Sequence, residues 1–267
     1  MAFETLLIER RGGIAWVTLN RPERLNALNL QILQDLRAAA AMIQADRDVR
    51  AAVLTGAGRA FCSGADLMGD DLIGAPGHSS GLRIRARMLD HFNPMVSEWN
   101  GLRVPLVVAV NGVAAGAGVS LALAGDIVLA ARSATFLQVF APKLGLIPDL
   151  GSTFHLPRLL GTARAKGLAL LGDPLSAADA AAWGMIWASI DDAALPAEAE
   201  RLARRLAEGP TEAFRRIKEL FNREPPGTLD EQLAAEAEAQ SALGDTADFA
   251  AGLQAFRDKR AAKFTGR

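Results

Sequence analysis

Pro105-Leu106-Val107-Val108-Ala109-Val110 runs directly into Asn111-Gly112-Val113-Ala114-Ala115-Gly116-Ala117-Gly118. The first six residues are apolar on both faces of an extended chain, the pattern of a strand covered on both sides. The next eight are small and glycine-rich, so a ligand can approach the backbone closely there. The same arrangement stands upstream, where Ala51-Ala52-Val53-Leu54-Thr55 leads to Phe61-Cys62-Ser63-Gly64-Ala65-Asp66. Two such turns can aim backbone N–H groups at one oxygen atom. A pair of converging donors is an oxyanion hole, which stabilises a carbonyl oxygen that gains negative charge during a reaction.

Outward from these turns the chain alternates strands and helices. Phe3 to Glu9 alternates loosely, Gly12-Gly13 marks a hairpin turn, and Ile14 to Leu19 reads as a buried strand that ends at Asn20-Arg21-Pro22. Leu30, Leu33, Leu36, Ala40 and Ile43 recur at helical spacing between Asn29 and Ala45. Residues 67–100 start irregularly, with Gly74-Ala75-Pro76-Gly77 as a loop, and become helical near Leu82. Asp126 to Ala130 and Thr135-Phe136 read as further strands. Repeated strand–turn–helix units with doubly apolar strands predict an α/β fold with helix-covered sheets. From Ser176 the pattern is mainly helical, over 176–182, 195–207, 210–221, 229–243 and 246–259, with a break at Pro225-Pro226-Gly227. Apolar helix faces with few partners predict packing on a neighbouring subunit. The alternative is an intramolecular helical cap.

Composition removes several function classes. The chain has 267 residues, half of them hydrophobic, with a net charge of −1, so no basic field points to nucleic acid or to an anionic membrane. Cys62 is the single cysteine, so no intrachain disulfide forms, which fits a reducing cytoplasm. The N-terminus lacks the layout of a signal peptide, and no apolar run reaches the roughly 20 residues a membrane helix needs. His78, His91 and His155 make no metal-ligand spacing, and no Walker-type loop or strand–GxGxxG–helix unit is present.

Five anchors together resemble the crotonase, or enoyl-CoA hydratase/isomerase, superfamily over nearly the whole chain. They are Asn20-Arg21-Pro22 with Leu25-Asn26-Ala27-Leu28, Phe61 to Leu67, Asn111 to Gly118, Gly145-Leu146-Ile147-Pro148-Asp149, and Ala255-Phe256-Arg257-Asp258-Lys259-Arg260. The resemblance implies an α/β fold: a spiral of ββα turns over residues 1–195, holding the CoA and active sites, and a C-terminal helical oligomerisation region over 196–267. It implies a homotrimer or a dimer of trimers acting on acyl-CoA thioesters, with the CoA thioester as substrate and no separate cofactor. The N–H groups of Ala65 and Ala117 are expected to form the oxyanion hole. Arg24, Asn26, Ala27, Ser63, Ala65, Asp66 and Leu67 are expected to line the CoA groove. Phe256 and Lys259 are expected to contact the CoA nucleotide, often across a subunit boundary. Lysine suits a phosphate as a point charge. The plainer role for Lys259 is a solvated helix face.

The hydratase members use two glutamates, and neither is here. One position holds Ser120; the other falls in Gln138-Val139-Phe140-Ala141-Pro142-Lys143, which has no carboxylate. A serine or an apolar group does not replace a carboxylate as general base at neutral pH. One acid remains, Asp149 in Leu146-Ile147-Pro148-Asp149-Leu150-Gly151. Local propensity makes it a helix N-cap. The resemblance makes it the catalytic acid–base of an isomerase, and burial would raise its pKa. Ala131 to Ala134, Lys143 to Asp149, Leu156 to Leu159 and Trp183 to Trp187 resemble the branch of the family that rearranges ring epoxides of phenylacetyl-CoA. Relatives commonly carry Gly-Gly where this chain has Gly151-Ser152, so Ser152 adds a side chain near the pocket. A general 3-enoyl-CoA to 2-enoyl-CoA isomerase, a hydratase-like enzyme and a non-catalytic CoA-binding subunit are the competing readings. Cys62 reads as a small buried filler, and His78, His91, Asp90 and Glu98 as non-catalytic. His155 follows the Asp149 turn, with a structural role favoured.

Overall fold

A computed structural model describes residues 3–67, 79–222 and 227–266 of the chain. The loop expected at Gly74 to Gly77, His78 and the Pro225-Pro226 pair lie outside these residues. Strands β1 (Leu6–Arg11) and β2 (Ile14–Leu19) form the antiparallel hairpin, and helix α1 (Leu30–Ala45) follows. Asn29 starts α1 by accepting the Ile32 N–H at 3.0 Å. Of the expected apolar stripe, Leu33, Leu36, Ala40 and Ile43 are buried and Leu30 is half-buried, while Ile32 is buried beside them.

Three strand pairs come next, and each pair divides between two sheets. They are β3 (Ala51–Gly56) with β4 (Ala60–Cys62), β5 (Leu106–Val110) with β6 (Val113–Ala115), and β7 (Ile127–Ala131) with β8 (Thr135–Leu137). The first strand of each pair joins a six-stranded sheet in the order β1-β2-β3-β5-β7-β10, closed by β10 (Ala188–Ile190). The second joins a four-stranded sheet in the order β4-β6-β8-β9, where β9 is Leu175–Ser176. After β4 come α2 (Ser80–Arg87), a π-helical turn at Met88–Phe92 and α3 (Asn93–Asn100); after β6 comes α4 (Ala117–Leu123); after β8 comes α5 (Ser152–Leu171). This is the spiral of ββα turns. Parallel pairing of β2, β3, β5 and β7 follows from strands whose residues are nearly all buried, because such strands need cover on both faces.

Helix α6 (Ala177–Ala182) leads to β10, and α7 (Leu195–Ala207) lies across β2, β3, β5 and β7, burying Ala199, Leu202 and Ala203. Helix α7 therefore covers the larger sheet. Helices α8 (Thr211–Phe221), α9 (Leu229–Gly244) and α10 (Ala247–Arg257) make the remaining region, with α9 packed on α8 and α10. Arg50, just before β3, ties it back to the spiral: its guanidinium donates to Thr211 Oγ1 at 3.1 Å, to the Phe264 carbonyl at 3.0 Å and to the Gly209 carbonyl. Phe221, Leu229, Leu233, Phe249 and Phe256 stay exposed on these helices.

Candidate active site

The two glycine-rich turns are brought together by the smaller sheet. Strands β4 and β6 pair in parallel, with Cys62 opposite Ala114, so the chain leaves both strands at the same end. Glycine is required at the contacts. A Cβ on Gly118 would stand 2.1 Å from the Cys62 carbonyl oxygen, and one on Gly112 would stand 2.2 Å from that of Arg59. A Cβ on Gly64 would meet the Ala115 carbonyl oxygen at 2.9 Å and the Ala117 nitrogen at 3.5 Å. Asn111 fastens the turns from the side, accepting the Gly56 N–H at 3.0 Å and donating to the Gly58 carbonyl at 2.9 Å.

Neither expected donor, the Ala65 N–H or the Ala117 N–H, has a backbone partner among the described residues. Leu28 bridges Ala65 in parallel, taking the Asp66 N–H and donating to the Gly64 carbonyl. That pattern uses the groups flanking Ala65 and turns the N–H of Ala65 itself away from Leu28. Ala117 is the first residue of α4, where N–H groups have no partner inside the helix. Gly116 before it adopts φ 51° and ψ −120°, a conformation only glycine tolerates, and this re-aims the chain from β6 into α4. The N-terminal end of α4 adds the positive end of the helix dipole to the same spot.

Asp149 does not cap a helix. Gly151 is the residue that precedes α5, without a side-chain cap, and Asp149 stands at the start of a tight turn. Leu150 and Gly151 are both left-handed, at φ 50° and 86°, and the Ser152 N–H closes the turn on the Asp149 carbonyl at 2.9 Å. Ser120 Oγ donates to the same carbonyl at 2.8 Å. Ser120 and Ala117 are three residues apart on α4, hence on one face and about 4.5 Å apart along the axis. The Asp149 turn is thereby held one helical turn from the Ala117 N–H. Burial pushes the Asp149 carboxyl up to about 7, opposed more weakly by a hydrogen bond from its own backbone N–H, and no charged neighbour contributes. Its Oδ1 is shielded from solvent and accepts no hydrogen bond among the described residues. A carboxyl that titrates near neutrality with a free oxygen is suited to taking and returning a proton.

The residues expected in the CoA groove cluster beside Ala65. Asn26 is fully buried and its amide is consumed: Oδ1 accepts the Arg21 N–H at 2.9 Å, and Nδ2 donates to the Ala57 and Ala60 carbonyls at 3.0 and 2.9 Å. Its side chain braces the loop. Arg21 pairs with Asp66 at 3.1 Å and donates to the Ala27 carbonyl at 2.6 Å, fastening Ala27 to Asp66. Leu67 is exposed, and the Ser63 N–H donates to the Leu25 carbonyl at 3.0 Å. Arg24 ends a short 3-10 turn at Pro22–Arg24, followed by Leu25 and Asn26, both left-handed. Phe256 is 83% exposed on α10, and Lys259 is exposed just beyond it.

Other candidates settle into structural roles. Cys62 is buried, and burial pushes its thiol up to about 12, so it is no thiolate at neutral pH. Burial and Arg158 hold His155 below the usual histidine value, and its ring stands edge-on to Phe154. Glu98 forms an ion pair with Arg37 at 2.8 Å. Two features escape a reading of the sequence: Arg21 as the brace of Ala27 and Asp66, and the contacts among Ser120, Gln138 and Ser152. Ser120 Oγ lies 2.7 Å from Ser152 Oγ, and Gln138 Nε2 donates to Ser152 Oγ at 3.2 Å. Their only signal is three uncharged polar residues in apolar surroundings.

Known proteins are similar to this chain over nearly its whole length. The family model described as Enoyl-CoA hydratase/isomerase matches residues 9–267. The 1,2-epoxyphenylacetyl-CoA isomerase of Escherichia coli (strain K12) is 46% identical over 264 residues, covering 99% of this chain and 99% of that protein. A Rhodobacter capsulatus protein named "Probable enoyl-CoA hydratase" is 43% identical over 267 residues, covering all of both chains. The crystal structure of an enoyl-CoA hydratase from Bacillus anthracis superposes with a TM-score of 0.90 at 31% identity, covering 99% of this chain and 100% of that one.

Proposed function

The chain belongs to the enoyl-CoA hydratase/isomerase family, and from that premise we propose that it is an acyl-CoA isomerase whose substrate is ring-1,2-epoxyphenylacetyl-CoA, converted to the seven-membered oxepin. The observation that carries this reading is the carboxyl of Asp149, its Oδ1 shielded from solvent and its pKa raised to about 7, beside a turn pair whose Ala65 and Ala117 N–H groups have no backbone partner among the described residues, while Ser120 and the stretch Gln138 to Lys143 supply no second acid. Hydration needs a base to activate water and an acid to protonate carbon. Isomerisation needs one group that does both in turn.

In the proposed mechanism the thioester oxygen sits between the Ala65 and Ala117 N–H groups. Ionised Asp149 removes a proton from the carbon next to the thioester carbonyl, and the negative charge moves onto that oxygen. The bond between the two epoxide carbons breaks as the ring π electrons reorganise, which widens the ring to seven members with the oxygen inside it, and the same carboxyl returns the proton to a ring carbon further along the conjugated system, so the net change is a rearrangement. One donor of such a pair is worth about 3–4 kcal/mol in the transition state. The 46% identity to an epoxyphenylacetyl-CoA isomerase supports the ring substrate. A 3-enoyl-CoA would pass through the same enolate and is a plausible second substrate on chemical grounds.

The test is a product assay on ring-1,2-epoxyphenylacetyl-CoA, with 3-enoyl-CoA and 2-enoyl-CoA in parallel. The proposal expects oxepin formation to dominate. Efficient hydration of 2-enoyl-CoA with no rearrangement would overturn it. The assembly proposed for the chain is a homotrimer or a dimer of trimers, with the exposed apolar residues of α8–α10 covered by neighbours. Light scattering giving a monomer at micromolar concentration would refute that part.

A further inference from the structure

The hydroxyl and amide contacts around Asp149 have a direction that can be derived. A carbonyl oxygen only accepts, so at 2.8 Å Ser120 Oγ must donate to the Asp149 carbonyl. Ser120 has one hydroxyl proton, now committed. Across the 2.7 Å contact between the two hydroxyls, Ser152 must therefore be the donor. That commits the proton of Ser152, whose oxygen then accepts from Gln138 Nε2 at 3.2 Å. Turning the Gln138 amide round would set its oxygen against an oxygen with no proton to offer. The chain runs one way, from the Gln138 amide through Ser152 and Ser120 to the Asp149 carbonyl.

Ser120 and Ser152 are fully buried and Gln138 is 3% exposed, so bulk water does not compete for these bonds. Hydrogen bonds in series in such surroundings strengthen one another. The chain links four separate parts of the fold: the segment after β8, the first residue of α5, the middle of α4 and the Asp149 turn. The turn needs such support. Leu150 is held at φ 50°, which costs about 1–2 kcal/mol for a residue with a Cβ. A strained turn persists only where its surroundings over-determine it.

Resting on the assignment of Asp149 as the proton carrier, we infer that Ser120, Ser152 and Gln138 are positioning residues: their one-way chain fixes the Asp149 turn against α4 and so sets where the carboxyl stands relative to the Ala117 N–H. None of the three touches the reacting atoms in this account. They act through the backbone of Asp149. A displacement of about 1 Å in a reacting group costs on the order of 100-fold in rate, so a chain that holds position is visible in kcat.

The experiment compares Ser120→Ala, Ser152→Ala and Gln138→Met with wild type and with Asp149→Asn. It reads kcat and KM on the epoxide substrate, thermal melting, and the carbon-13 titration of the Asp149 carboxyl in the free enzyme. Ser120→Ala is expected to lower kcat by about 10- to 100-fold with KM within about twofold. Its Asp149 midpoint should move down from about 7 as the released turn admits water. Ser152→Ala should act in the same direction but less, and Gln138→Met least, because it keeps the outer side chain's shape and leaves both hydroxyls in series. Gln138→Met also serves if a serine variant fails to fold. Unchanged kcat and an unchanged Asp149 midpoint in Ser120→Ala, even with a lower melting temperature, would overturn the inference. So would a Gln138→Met effect larger than that of Ser120→Ala. Full turnover in Asp149→Asn would instead refute Asp149 as proton carrier, and the carbon-13 midpoints would still judge the chain.

Discussion

Ser120 Oγ donates a 2.8 Å hydrogen bond to the Asp149 carbonyl, joining the helix that begins at Ala117 to the turn that carries the acid. This one bond relates the two halves of the proposed chemistry, the oxygen trap and the proton carrier. The family resemblance implies a hydratase glutamate at the Ser120 position. Here the residue cannot carry a proton as a base, and its hydroxyl holds the backbone carbonyl of Asp149 instead.

Asp149→Asn should abolish most turnover while acyl-CoA binding persists. Loss of a general base typically costs about 100- to 10,000-fold. Single-turnover kinetics, with Kd from calorimetry, would separate the two effects. Activity within about threefold of wild type would remove Asp149 from the mechanism.

The pH profile follows from the same group. Asp149 acts as a base when ionised, and its carboxyl is pushed up to about 7, so kcat/KM should fall as pH drops through about 7. Stability runs the other way. A carboxyl raised in the folded state favours folding while protonated, and the advantage is lost as pH rises from the unfolded value through about 7. The distance from 3.8 to about 7 sets a ceiling of about 4 kcal/mol on that loss. Asp149→Asn should therefore melt higher than wild type at pH 8 and about equally at pH 4. Equal melting at both values would contradict the burial of this charge.

Gly64→Ala should damage the oxygen trap. Gly64 has φ 100°, and a Cβ there would press on the Ala115 carbonyl oxygen at 2.9 Å beside the Ala117 nitrogen. Displacing one donor predicts a loss of about 100- to 1,000-fold in kcat. Circular dichroism would check that the fold survives. A folded variant with unchanged kcat would show that the turn contact does not shape the site.

Lys259→Ala should raise KM for CoA esters several-fold and leave kcat unchanged, because a contact to the nucleotide is made equally in ground and transition states. The effect should shrink at high salt, as expected for an exposed charge. With an acyl-pantetheine substrate, which lacks the nucleotide, wild type and variant should behave alike. Equal KM values on the full CoA ester would return Lys259 to a solvated helix face.

Much of this molecule is legible without coordinates. Doubly apolar runs such as Leu106 to Val110 leave one physical outcome, a strand covered on both faces. The stripe from Leu33 to Ile43 leaves one helix. The glycine-rich turns announce close backbone approach, and the resemblance makes the missing glutamates visible at Ser120 and in the carboxylate-free stretch Gln138 to Lys143. These are local properties, set by spacing and by residue type. What the tertiary structure alone decided is how distant polar groups use their protons. Asp149 looked like a helix cap because capping is a local propensity, yet the left-handed Leu150-Gly151 pair moves the helix start past it. Asn26 reads as a groove residue, but its amide is consumed by three backbone groups that approach only in the folded chain. Nothing in the sequence links Ser120, Gln138 and Ser152 to one another. Their direction as a chain exists only because folding places a carbonyl, which cannot donate, at one end.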